Sequence, residues 1–434
     1  MSLLFRGVVW FGLYLLLALL PLLAAMWADP YNAPRPWQLE VALALGFIGF
    51  ALMVLEYTLV ARLHAAAEPF GTDALVSFHR LMGLATVAFA LAHPAMLELV
   101  PGLRADRAVA GSGLLALLAL LILAATSIWR RRLGLRWESW DRIHRACAAL
   151  AVLSTLAHIG LAQGYARSGP AAWAVLAFAL LFAALLLRFR LWRPLRLRAR
   201  PWRVLSNQDA GGSARLLRVA PDGHPGWRFR PGQFAWLITG RSPFSIQQHP
   251  ISLAGDAEAP DGHLEFGIKA LGDWSGEVVP RLAPGDRVWV DGPYGAFTPD
   301  REPAQGFVLI AGGIGVAPMR AILLSLKSRE DPRHIVLIVA AHDRERVVFR
   351  EELEALSRSM AVTLVYVFEA PAAGDVAEAG LLSREVLARH LPPHVEHYQC
   401  FICGPPPMMD LAESLLLDLG IAPARIQTER FEVI

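Results

Sequence analysis

Cysteine is scarce: the 434 residues include three, too few for the disulfide framework that staples small secreted domains. Charge is scarce too, at 18% of residues, and sparse among the long Leu, Ala and Val runs that precede residue 192. With 55% hydrophobic residues and a mean hydropathy of +0.41, an ordinary soluble enzyme is excluded. Basic and aromatic residues do not alternate, and the net charge of +3 reflects a local excess of arginine, so no nucleic-acid partner is expected. No EF-hand loop is present, which leaves calcium regulation without a recognisable site. After residue 192, Gly, Pro and charged residues reach globular density. The chain therefore reads as a membrane half followed by a soluble half.

Apolar runs lie at 3–28, 39–61, 74–100, 111–129, 139–162 and 171–191, each near the roughly twenty residues that cross about 30 Å of hydrocarbon. The first has only Arg6 ahead of its core and no clear small-residue cleavage site, so a retained helix is expected. Six crossings return the chain to its starting side. The segments WRRRLGLRW (129–137) and RFRLWRPLRLRAR (188–200) are strongly basic, whereas DPYNAPRPW, PGLRADRAVA and QGYARSGP are mixed or nearly neutral. The excess of arginine in the first set places these loops, both termini and the soluble half in the cytoplasm; the expected location is a bacterial inner membrane.

One histidine spacing occurs twice. His79 and His93 are fourteen residues apart in FHRLMGLATVAFALAH, as are His144 and His158 in HRACAALAVLSTLAH. Fourteen helical residues rise roughly 21 Å and return to within about 40° of the same face. An ionisable side chain in lipid is costly and normally faces a bundle interior. A proton relay has no reason to repeat the interval, and a single metal site needs its ligands within a few Å. Two hemes, one between His79 and His144 near the cytoplasmic face and one between His93 and His158 near the outer face, account for number, spacing and pairing together. No CxxCH occurs, so attachment is expected to be noncovalent, of b type. With both axial positions filled, such iron carries electrons. Arg80 and Arg145 each follow a cytoplasmic-side histidine, where they suit either heme propionates or the membrane interface, and His64 is read as structural.

Beyond a basic linker at 193–202, short alternating strands separated by Gly and Pro turns fill 203–300, as in a small antiparallel β-barrel. They contain RPGQF (230–234), HPISLAG (249–255), IKALGDWSGEV (268–278) and DGPYGAF (291–297). In order and spacing these resemble the flavin domain of the ferredoxin-NADP reductase superfamily, in the version found in NADPH oxidases and ferric reductases. The resemblance implies that His249, Pro250, Ile251 and Ser252 hold the FAD isoalloxazine, with the Ser252 hydroxyl near its reactive nitrogen. It assigns Lys269, Trp274 and Ser275 to the diphosphate side.

From 301 to 434 the pattern becomes α/β and Rossmann-like. In GFVLIAGGIGVAPMRAILLSLKS (306–328) an apolar strand enters a glycine-rich turn and then a helix, which turns backbone N–H groups and a helix dipole toward a pyrophosphate. Together with CGPPPMM (403–409), GGIGVAPM resembles the nicotinamide domain of the same superfamily. Gly312, Gly313, Gly315, Pro318 and Met319 then carry over to the pyrophosphate turn, and Cys403, Gly404 and Pro405 to the nicotinamide side. Cys400 with Cys403 also spells C-x-x-C, but Cys400 lies within the preceding strand, so a redox pair is not expected. Arg344 and Arg346 follow the next strand, where a ribose 2′-phosphate would lie. Arginine suits that dianion, which favours NADPH over NADH. Near the end, in TERFEVI, Phe431 matches the aromatic that stacks on the flavin in the family, three residues before the last residue here.

The resemblance to the NADPH oxidase and ferric reductase family thus covers nearly the whole chain. It implies a transmembrane oxidoreductase that passes electrons from NADPH through FAD and two hemes to an acceptor on the outer side, with Ser252, Cys403 and Phe431 around the reacting rings. Oxygen giving superoxide is the favoured acceptor, because no outer domain is large enough for a dedicated binding site; a ferric chelate and a periplasmic redox protein are the alternatives. The outer-side arginines Arg35, Arg104, Arg107 and Arg167 do not choose among them.

Overall fold

Long apolar stretches satisfy their backbone groups in lipid only by becoming helices, and in the computed structural model they do. The structure describes residues 3–27, 35–62, 71–103, 106–162, 169–245 and 247–430, and these fall into two compact units that divide near residue 193. The first contains α1 (Leu3–Trp27), α2 (Trp37–Leu59), α3 (Thr72–Glu98), α4 (Arg107–Ile128), α5 (Trp137–Leu161) and α6 (Gly169–Leu187). Six helices among the described residues are long and apolar enough to cross a membrane. α4 begins earlier than hydropathy suggests, because a polar cap decides its start. Asp106 accepts the Ala108 N–H at 2.7 Å to open α4. The helical path also continues past α6, through a π turn at Arg188–Trp192, into α7 (Arg193–Arg198). Pro194 has no N–H to return to the preceding turn, and the ladder widens there.

Large apolar side chains on the outward faces of these helices, Phe5, Leu16, Leu81, Leu114 and Leu180 among them, are exposed, which suits lipid rather than water. Inside, Tyr14, Phe50, Leu52, Val54, Leu120, Val152, Phe178 and Phe182 form the helical core.

The second unit has two sheets. In the first, antiparallel strands run in the order β4 (Gln248–Ser252), β3 (Phe234–Ile238), β6 (Arg287–Tyr294), β1 (Trp202–Asp209), β2 (Ala214–Pro221), β5 (Leu264–Lys269). A bridge between Leu253 and Phe266 joins the two edges and closes the barrel. Period-two alternation sends Trp202, Val204, Leu217, Val219, Leu237, Phe266, Val288 and Val290 inward.

The second sheet is parallel, ordered β10 (Glu378–Ala379), β9 (Val362–Phe368), β8 (His334–Ala341), β7 (Gly306–Gly312), β11 (Gln399–Cys403), β12 (Ile426–Glu429). Its strands are continuous apolar runs because helices cover both faces. α8 (Val316–Ser328) and α9 (Arg350–Ser359) pack on one side, and α10 (Arg384–His390) and α11 (Pro406–Asp418) on the other. Strand order reverses between β7 and β11, and in such sheets the crevice at that switch point receives the ligand.

Candidate functional site

The four membrane histidines meet in pairs. His79 of α3 and His144 of α5 have ring centroids 6.2 Å apart at 63°, and His93 and His158 of the same helices are 6.1 Å apart at 90°. Two imidazole nitrogens bound in line to one metal at about 2 Å each need ring centroids roughly 6 Å apart, so both pairs fit an axially held iron. Each ring also has its Nδ1 engaged. His93 Nδ1 lies 2.7 Å from the Ala42 carbonyl and His158 Nδ1 2.9 Å from that of Val109. A carbonyl only accepts, so Nδ1 carries the proton and Nε2 keeps its lone pair for a metal. Gly46 and Gly113, one turn beyond those carbonyls, let the rings in: a Cβ there would stand 3.1 and 3.0 Å from the respective Nδ1 atoms.

The other pair is oriented differently. Ser127 donates its hydroxyl to the Leu123 carbonyl at 2.7 Å and accepts Trp140 Nε1 at 3.3 Å, which leaves its oxygen to accept from His144 Nδ1 at 3.2 Å. His79 Nδ1 pairs with the buried Glu56 carboxylate on α2. Arg145 is ion-paired with Asp141 one turn before it. Among the described residues no group of three or more His, Cys, Asp or Glu side chains gathers as a metal site. His64 lies outside the described residues.

In the barrel, His249, Pro250, Ile251 and Ser252 occupy β4, in register with Leu237, Trp236, Ala235 and Phe234 of β3. The structure places Trp274 in the barrel core, stacked on His249 at 3.9 Å and 18°, with its indole N–H donated to Thr239 at 2.8 Å. Ser275 organises the adjoining turn by accepting the Leu271 and Gly272 N–H groups at 3.0 and 3.1 Å. Lys269, at the end of β5, brings its ammonium to 3.5 Å from where a Gly313 Cβ would be. The barrel lysine thus sits beside the glycine-rich turn of the parallel sheet.

That turn and the CGPPPMM segment meet at the switch point. A Cβ on Gly312 would lie 2.6 Å from Met408 Sδ and 2.9 Å from Pro405 Cδ, and one on Gly315 would overlap the Cys403 carbonyl. Only glycine allows the two loops to touch. Pro318 and Met319 are buried, Met319 in the core beneath the turn, so Gly313 and Ile314 form its accessible part. Cys403 and Cys400 point to opposite faces of the sheet, into separate core clusters. Burial pushes the Cys400 thiol up to about 12. Phe431 lies outside the described residues. Glu429, two residues earlier, holds its carboxylate 3.6 Å from the Cβ position of Gly295 in DGPYGAF, which brings the strand leading to Phe431 to the barrel's flavin-motif loops.

Residues 45–155 match the family described as Ferric reductase like transmembrane component, and residues 309–414 match Oxidoreductase NAD-binding domain. The chain belongs to the NADPH oxidase and ferric reductase family. It has that family's plan: a six-helix transmembrane bundle, a flavin-binding antiparallel β-barrel and a Rossmann-like nicotinamide-binding domain, together a multi-pass membrane oxidoreductase. The reductase component of propane 2-monooxygenase from Rhodococcus jostii is 28% identical over 222 residues, 50% of this chain and 59% of the relative's length. Sulfhydrogenase 1 subunit gamma from Pyrococcus furiosus is 31% identical over 208 residues, 46% of this chain and 67% of its own. The crystal structure of flavohemoglobin from Malassezia yamatoensis, with bound FAD and heme, gives a TM-score of 0.51 at 18% identity, covering 92% of this chain and 99% of that one, a likeness of fold alone.

In this NADPH oxidase and ferric reductase plan, one functional cluster escaped the sequence reading. Arg320, buried on α8, donates to Glu352 at 2.6 and 2.9 Å, to Glu265 at 2.7 Å, and to the carbonyl of Ala254 in the HPISLAG segment at 2.5 Å. It therefore ties the HPISLAG segment of the barrel to the helix that follows the glycine turn. Burial opposes charge on Glu265, but hydrogen bonds from His263 and the charge of Arg320 outweigh it and hold that carboxyl down to about 2. The only sequence signal was an arginine inside the apolar run VAPMRAILLSL. Arg344 and Arg346, at the carboxyl end of β8, are 53% and 64% exposed and lie 3.6 and 3.5 Å from Asp375 and Asp343.

Proposed function

We propose that this protein oxidises cytosolic NADPH and delivers the electrons across a bacterial inner membrane to oxygen, one NADPH and two O2 giving NADP+, one H+ and two superoxide ions. In this reading residues 1–192 form the electron-carrying membrane domain, 193–202 a basic linker, 203–300 the FAD domain and 301–434 the NADPH domain, with both termini cytoplasmic. The observation that carries it is the pairing of four histidines at the separation of axial ligands, each with its Nδ1 occupied. When bound, FAD supplies hydride acceptance and single-electron release, and bis-histidine heme b supplies one-electron carriage.

The chain's own residues supply position. His79 with His144, and His93 with His158, would hold the two hemes, one pair to each. His249 to Ser252 present β4 to the flavin, Trp274 fixes the His249 ring, and Ser275 shapes the neighbouring turn. Lys269 and the N–H groups at Gly313 meet diphosphate charge. Cys403, Gly404 and Pro405 flank the nicotinamide at the switch point, and Arg344 and Arg346 receive the ribose 2′-phosphate. The connections after α1, α3 and α5 are short, which suits a small acceptor such as oxygen.

The test is the purified full-length protein with FAD and NADPH. Superoxide-dismutase-sensitive cytochrome c reduction in air, with no ferric-chelate reduction when oxygen is removed, is the expected result. Chelate reduction without oxygen, with no superoxide in air, would make it a ferric reductase. Activity in neither assay would point to a periplasmic redox partner.

A further inference from the structure

The two histidine pairs differ in what their outer nitrogens meet. His93 and His158 are treated alike: each faces a neutral backbone carbonyl, at 2.7 and 2.9 Å, beside a glycine. His79 and His144 are not. His144 faces the neutral Ser127 hydroxyl at 3.2 Å, whereas His79 pairs with the carboxylate of Glu56, 8% exposed on α2. Asp141, the other buried acid of these helices, is offset by Arg145. Among the described residues Glu56 is ion-paired with His79 alone. A buried carboxylate in lipid contributes little to stability as such.

We propose that Glu56 is a positioning residue that makes the iron site of His79 and His144 harder to reduce than that of His93 and His158. The proposal rests on the reading that each pair holds a heme. A carboxylate on Nδ1 fixes the ring and raises the donor strength of Nε2, and its negative charge favours the ferric over the ferrous ion. Both effects lower the potential of one site only. An electron lost by that iron, ferrous to ferric, reduces the other iron, ferric to ferrous, with no bond made or broken. The transfer is downhill from His79–His144 toward His93–His158, and the membrane domain acquires a direction from one side chain.

The experiment is an anaerobic spectroelectrochemical titration at fixed pH on the full-length, heme-loaded protein, with heme per chain measured alongside. A wild-type spectrum lacking six-coordinate, low-spin bis-imidazole iron would end the heme reading itself, and the proposal with it. With that spectrum present, two one-electron components are expected. Glu56→Gln should move the lower one to more positive potential and leave the upper in place. Glu56→Asp, a shorter carboxylate, should move the same component by less, and Ser127→Ala should move it less than Glu56→Gln. Unchanged potentials, or equal movement of both components, overturn the role of Glu56 while leaving the hemes standing. If Glu56→Gln does not accumulate, Glu56→Asp decides alone: a lower component that moves supports the proposal, and one that stays overturns it.

Discussion

Gly46 stands against His93 so closely that a Cβ on the glycine would lie 3.1 Å from Nδ1, and Gly113 repeats the relationship with His158 at 3.0 Å. Each glycine sits one turn beyond the carbonyl that its histidine contacts, so a side chain there would push the ring off its acceptor and strand a buried N–H. Gly46→Val and Gly113→Val are each expected to lower bound heme from two per chain to about one, because overpacking is not absorbed by close-packed helices. A pyridine hemochrome assay on purified protein checks this, and two full hemes in both variants would refute it.

His93→Ala removes one of the four histidines proposed to hold heme and leaves the flavin and nicotinamide elements untouched. Reduction of an outer acceptor should fall to background while NADPH-dependent reduction of bound FAD, followed by loss of flavin absorbance, continues at the wild-type rate. A variant that still reduced the outer acceptor at full speed would sink the assignment of His93.

The parts legible in the sequence were those that local periodicity or a short motif defines. The fourteen-residue histidine interval is a property of helix geometry alone, and the glycine turn at 312–315 announces close backbone approach. Partners distant in the chain were not legible. Glu56 belongs to no motif, and its partner His79 reaches it only in the fold. Arg320 acquires its meaning only when Glu265 and Glu352 arrive from other elements. Trp274 sits in a motif associated with diphosphate, yet its neighbours are Thr239 and His249, a placement decided by barrel closure. Helix starts at Trp37 and Arg107 depend on flanking residues that carry no hydropathy signal.

Arg320→Ala removes the buried cation that Glu265 and Glu352 share and leaves Glu265 to Arg218 at 3.2 Å; breaking a buried pair from one side costs about 3–5 kcal/mol. The wild-type network also makes stability pH-dependent. Glu265 is held at about 2 against an ordinary 4.5, so its contribution is complete above pH 4.5 and is lost as pH falls toward 2. Thermal unfolding of the full chain should show a midpoint that declines through that window in the wild type and less steeply in Glu265→Gln. Equal slopes for the two would contradict the role given to Glu265.

Cys400 and Cys403 lie on opposite faces of the parallel sheet, and the buried Cys400 thiol is pushed up to about 12, far from a thiolate at neutral pH. Cys400→Ala should therefore retain NADPH-driven electron transfer to within about twofold, at a stability cost of roughly 1 kcal/mol for the small cavity. In the folded wild type, Cys400 should resist alkylation by iodoacetamide, as read by peptide mass. Rapid labelling, or loss of turnover in the variant, would restore a redox role for the C-x-x-C.

Arg344 and Arg346 lie at the carboxyl end of β8, each exposed and each near a single acid. Their exposure leaves them free of any packing duty, so replacing them tests recognition rather than folding. A charge-assisted contact from arginine to a phosphate contributes about 1.5–3 kcal/mol, which corresponds to roughly 10- to 150-fold in affinity. The double variant Arg344→Ala with Arg346→Ala is expected to raise KM for NADPH by at least about tenfold while leaving KM for NADH and kcat with either cofactor near wild type. The split is diagnostic because NADH lacks the 2′-phosphate, so damage to the pyrophosphate turn at Gly313 would raise both KM values together. Equal KM increases for the two cofactors would remove these arginines from the discrimination.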